Sequence, residues 1–112
     1  MSIPHDHAIQ YSLLRLLEQQ LDGKMHCNDV YRILAEQFPQ LTRSELEDPY
    51  QNSLSHWANR VQFAVLHLRN EGLVLHHTVA GGRGIWAISA AGREWLARLP
   101  DADELLKELG ST

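Results

Sequence analysis

The sequence predicts an α+β domain of the winged-helix type: a helix-turn-helix with three helices, a β-hairpin wing and a C-terminal helix. Three observations predict it. Apolar residues recur at helical spacing in three separate stretches before residue 72. Two short β-rich runs follow, "LVLHHTV" and "IWAIS", joined by a glycine-rich tip. A last helical stretch completes a domain over residues 1–100, and residues 101–112 read as a short acidic C-terminal helix or tail.

The elements follow in order. Residues 5–21 carry Ile9, Leu13, Leu16, Leu17 and Leu21 as one apolar stripe, with Pro4 suited to the first turn. "DGK" breaks this helix, and "MHC" suits a short extended piece. Asn28 is a good N-cap for "DVYRILAEQF", where Val30, Ile33, Leu34 and Phe38 face inward until Pro39 stops the helix. Thr42 and Glu45 form a capping box for one helical turn, and Asp48-Pro49 makes a turn. A helix over 55–71 starts at a Ser55 cap, repeats Trp57 or Ala58, Val61, Val65 and Leu68 inward, and ends at Gly72. In "LVLHHTV", Leu73, Leu75 and Val79 share the inward face of a strand with His77 between them. Ser89 caps "AAGREWLARL", which Pro100 ends, and Trp57, Trp86 and Trp95 are core aromatics.

Composition narrows the function. The chain has 112 residues, one cysteine and a net charge of −4, which exclude an internal disulfide and a multi-cysteine zinc site. No apolar stretch approaches the roughly 20 residues that span a bilayer, and no signal-peptide pattern opens the chain, so the expectation is a cytoplasmic protein with no membrane partner. The charge is unevenly spread: residues 1–51 are net −4, residues 52–98 net +3 and residues 99–112 net −3. The positive charge of the middle segment is all arginine: Arg60, Arg69, Arg83, Arg93 and Arg98. A local basic region of this kind suits nucleic acid better than the chain average does. No nucleophile elbow or metal-ligand pattern is present, so no catalytic residue, metal or cofactor is expected.

"GGRGIW" at 81–86 is a hairpin tip, not a phosphate cradle, because no lysine or hydroxyl follows the glycines and a strand-like run comes next. In the winged-helix frame the 55–71 helix enters the major groove, and the wing at 80–84 lies on the backbone or in the minor groove. Recognition helices touch bases with their N-terminal half. The candidate DNA contacts are therefore Asn52, Ser55, His56, Asn59 and Arg60, with Gln62 nearby, Arg83 from the wing and Arg93 from the last helix. Asn pairs bidentately with adenine and Arg with guanine. Arg69, late in the helix, reads as a surface or salt-bridging residue. Histidine protonation near the wing would make binding tighten as pH falls from about 7.5 to about 6.

"WANRVQFAVLHLRNEGLV" followed by "GGRGIWAISAAGREWL" resembles the N-terminal winged-helix domain of Mrr-type restriction proteins. Asn59, Arg60, Val61, Leu68, Gly72, Leu73, Arg83, Gly84, Trp86, Ile88, Gly92 and Arg93 match its pattern, and "LTRSELEDPYQN" is similar to its acidic upstream loop. The resemblance covers roughly residues 8–97. Two departures stand out: the chain ends at Thr112, without the nuclease domain many members carry, and Phe63-Ala64 replaces a Trp-Ala pair. The resemblance implies a reader of double-stranded DNA, methylated or unmodified, in a restriction or modification-dependent system, working alone, as a homodimer or with a nuclease partner. The alternatives are a protein–protein interaction module using the same surface and a dimeric transcription regulator of the winged-helix class.

Overall fold

A computed structural model describes residues 3–98. Within them lie six helices and one two-stranded antiparallel sheet, an α+β arrangement compatible with a winged helix. Helix α1 (Asp6–Glu18) is the centre of the fold: Ile9, Leu13, Leu14 and Leu17 are fully buried. It packs against α2 (Cys27–Glu36), α4 (His56–Asn70) and α6 (Ala90–Ala97), whose apolar stripes close around it. Val30 and Leu34 of α2 and Trp57, Val61, Val65 and Leu68 of α4 complete the core. Leu21 is not part of it. The helix ends at Glu18, three residues early, and leaves Leu21 fully exposed in the turn beyond.

Local signals in the sequence set several helix ends as expected. Thr42 and Glu45 make both bonds of the capping box on the one-and-a-half-turn α3 (Arg43–Glu47). Ser55 Oγ accepts from Ala58 N at 3.1 Å and Ser89 Oγ from Gly92 N at 3.0 Å. At the end of α4, Leu73 N donates to Leu68 O and Gly72 N to Arg69 O, which is the paired exit expected of a glycine just past a helix. Helix α2 differs: it starts one residue before Asn28, and His26 caps it, its Nδ1 accepting from Asn28 N at 3.1 Å. An imidazole nitrogen here takes the place of the side-chain oxygen that usually caps a helix.

The sheet departs most from expectation. Strand β2 (Ile85–Ala87) pairs with β1 (Lys24–His26), in register Lys24–Ala87, Met25–Trp86 and His26–Ile85. The "LVLHHTV" run contributes only an isolated bridge, Val74 to Ile88, with Leu75 N donating to Ala87 O and Ser89 N to Leu73 O. Beyond Leu75 it turns into a short helix, α5 (His77–Ala80), capped by His76. Val79, expected inward, is 70% exposed, and Ala80 is buried in its place. The segment expected to form the wing, called the wing below, is thus a two-sided arrangement in which β2 lies between β1 and residues 73–75, with α5 and a glycine-rich turn at its far end. Pro100 and the expected tail helix at 101–112 lie outside the described residues.

Candidate nucleic-acid interface

Helix α4 turns its buried stripe to α1 and leaves the other side outward. At 3.6 residues per turn, Asn59, Phe63, Leu66 and Asn70 form the middle of that outward face. Gln62 and Arg69, seven positions apart, share one flank; His56, Arg60 and His67 share the other.

The N-terminal half of α4 is tied to its surroundings by a chain of side-chain hydrogen bonds. Asn59 Nδ2 donates to Ser53 Oγ at 3.2 Å, Ser53 Oγ donates to Gln62 Oε1 at 3.3 Å, and Gln62 Nε2 donates to the Tyr31 hydroxyl at 2.9 Å. The Tyr31 ring meets Trp86 edge-on at 5.6 Å, so the chain runs from the loop before α4 to the sheet. Burial, partly offset by the Gln62 bond, pushes the Tyr31 phenol up to about 12; it stays neutral at any physiological pH. His56 stacks on Tyr50 at 4.2 Å, with the rings 14° from parallel. These bonds restrain Asn59, Gln62 and Tyr31 relative to one another.

The sequence-predicted contact residues do not gather in one place. Ser55 is buried and its hydroxyl is engaged as the helix cap. Asn52 is exposed in the turn beside it, and His56 and Asn59 are half-buried at the start of α4. Arg60 is half-buried on the flank away from Gln62, with its Nε buried and without an acceptor among the described residues. Arg83 is exposed at the wing tip, where Gly84 passes so close to His26 that a Cβ would stand 3.1 Å from the imidazole Nε2, and its φ of +80° suits glycine. Arg93 is at the other end of the sheet: its guanidinium lies over Gly23, 2.5 Å from where a Cβ would be, beside Ile88. Arg60, Arg83 and Arg93 thus stand at three different places.

What joins Arg83 is Arg69. With His77, Leu75, Ile85 and Trp86 the two arginines line a small notch of about 140 Å³ between α4 and the wing. The family model of the Mrr N-terminal domain matches residues 7–98, a span that holds this notch, the outward face of α4 and the wing together. The chain belongs to the Mrr N-terminal domain family. No curated protein and no solved structure matches it. Membership fits a module of a restriction system, and the Mrr N-terminal domain is a non-catalytic domain. No helix among the described residues is long and apolar enough to cross a membrane.

In this Mrr N-terminal domain, sequence reasoning overlooked Arg69, Gln62's bond to Tyr31 and the place of His77. The seven-residue spacing of Gln62 and Arg69 carried part of the signal. The rest needed the wing's path, because only the turn after Leu75 brings His77 back to α4. His77 is held below the ordinary imidazole range, first by desolvation and then by the charges of His76, Arg83 and Arg69. It therefore contributes less new charge between pH 7.5 and 6 than an ordinary histidine. The lowered value also has a stability consequence. Between about 6.5 and the lower folded value the unfolded chain binds a proton that the folded chain refuses. Stability should fall as pH drops through that window, and His77→Gln should remove that part of the fall, as read from urea midpoints at pH 7.5 and 5.5.

Proposed function

We propose that this Mrr N-terminal domain is a winged-helix module that binds double-stranded DNA for a restriction or modification-dependent system, with α4 in the major groove and the wing on the backbone. The observation that carries the proposal is the junction of a hydrogen-bonded polar row on α4 with two arginines, Arg69 of α4 and Arg83 of the wing tip. Asn59 and Gln62 offer the amide groups that pair with adenine, and Arg69 and Arg83 flank them with charge that phosphates can take. The acidic first half of the chain opposes non-specific binding, so affinity depends on docking this one face. His56 and Asn52 at the helix start, and Arg60 on the far flank, are proposed as secondary contacts. Arg93, turned to Gly23, is proposed as a backbone contact only where the duplex extends past the sheet.

Fluorescence anisotropy with duplex pools at two salt concentrations tests the reading. The pools are unmodified, adenine-methylated and cytosine-methylated. Binding should weaken with salt, and Arg83→Ala should lower affinity about tenfold across sequences and reduce the salt slope by about 1. A preference for one methylated pool would make the domain a modification reader.

A second reading has its own observation. Phe63 and Leu66, at 53% and 44% exposed, stand in the middle of the outward face of α4. In a major groove such side chains meet thymine methyl groups; in a protein complex they are the apolar anchor. No binding to any duplex at low salt would defeat the DNA reading and leave this stripe as a contact for a partner protein.

A further inference from the structure

The notch between α4 and the wing collects positive charge that the protein itself leaves uncompensated. Arg32, Arg43 and Arg98 each pair with a carboxylate on their own helix or at its end. Arg69 and Arg83 make no ion pair among the described residues, and the Nε of Arg69 is buried without an acceptor. His77 faces His76 from its own turn, Arg83 from the wing tip and Arg69 from α4, while β2 adds no charge. The apolar side chains of Leu75, Ile85 and Trp86 form the rest of the wall, which weakens solvent screening inside. Two guanidinium groups without an ion pair beside one small hollow are a cost unless an anion enters it.

We propose that the notch is a phosphate-binding site in which Arg69, Arg83 and His77 hold one phosphate group. The notch, about 140 Å³, has room for water that a phosphate group can displace. Arg69 offers its guanidinium from half-buried ground on α4, Arg83 reaches in from the exposed tip, and His77 donates from its ring once the anion is present. The proposal deepens the DNA reading and rests on it for the source of the ligand: there the phosphate is one of the duplex backbone, and the notch sets how α4 is seated in the groove. The chemistry is the same for a free phosphate, and the two sources are separable by experiment.

The test uses the full chain. Arginine Nε–H and histidine ring resonances are followed by NMR while sodium phosphate replaces sodium chloride at constant ionic strength. Saturable shifts are expected at Arg69, Arg83 and His77, weakened in Arg69→Gln and partly recovered in Arg69→Lys, with amide spectra reporting that each variant is folded. Shifts that chloride reproduces, or none at these three residues, would overturn the site. In a second arm, Arg69→Gln should bind duplex about tenfold more weakly, with a salt slope lower by about 1 and little change in sequence preference. Duplex affinity and slope unaltered in that variant would overturn the notch as a backbone contact. Phosphate shifts without any duplex binding would uphold the notch and overturn the DNA reading instead.

Discussion

Trp57→Ala should remove a large share of the domain's stability, about 3–5 kcal/mol. Trp57 is 1% exposed, its ring lies 5.8 Å from Phe38, and its indole N–H donates to Tyr31 O at 2.9 Å. It is the side chain that joins α2 to the first turn of α4. A domain of this size typically has about 5–15 kcal/mol in total, so the variant stands close to the unfolding threshold. At about 4–8 °C per kcal/mol, Tm should fall by at least about 12 °C. Trp57→Phe keeps a ring against Phe38 and loses the N–H bond, and should cost about 1 kcal/mol from that loss plus a smaller packing term. Urea denaturation with unchanged m-values separates the two variants. A loss below about 1 kcal/mol for the alanine variant would mean that α2 and α4 are held together by the rest of the core, and that the α4 face is less firmly seated than the hydrogen-bond chain through Gln62 and Tyr31 implies.

The helices were legible in the sequence because what defines them is local. Thr42 with Glu45, Ser55, Gly72 and Ser89 each act within four residues of the bond they make. The inward stripes of α1, α2 and α4 follow from periodicity alone, apart from Leu21, which lies past the end of its helix, and Ile33, which is only half-buried. The sheet was not legible, because alternation gives a face but not a partner. "LVLHHTV" alternates well enough for a strand, yet β2 finds its ladder with residues 24–26, sixty positions back, and His76 starts a helical turn where the strand should continue. The same nonlocality hid Arg69. Reading along α4, it is a late arginine far from the base-reading end. Only the return of the wing past its side chain makes it a neighbour of Arg83. The glycine-rich tip in the sequence led to Arg83, and geometry supplied what stands opposite.

Gly92 ties the last helix to the root of that wing, and a side chain there should disturb both. It is buried in the first turn of α6, its N–H donating to Ser89 Oγ. A Cβ would run into the carbonyl oxygen of Leu73 and come within 2.7 Å of Ile88 Cγ1. The Leu73 oxygen cannot withdraw freely, because it accepts from Ser89 N at 3.0 Å, and Ser89 Oγ in turn donates to Gly72 O at 2.6 Å. In a helix, alanine gains up to about 1 kcal/mol over glycine from propensity. Overpacking against backbone costs about 1–3 kcal/mol or more, so Gly92→Ala should be net destabilising and Gly92→Val considerably worse. The displaced atoms belong to residues 72–74 and 88–89, which lead directly into Leu75 and His77 of the notch. Under the proposed function, a folded Gly92→Ala protein should therefore also bind duplex more weakly, although Gly92 touches no DNA, and the loss should depend on Arg69: in an Arg69→Gln background it should be much smaller. Equal losses in both backgrounds would show that the wing root and the notch act independently, and that the position of residues 73–77 does not set how Arg69 and Arg83 meet a phosphate.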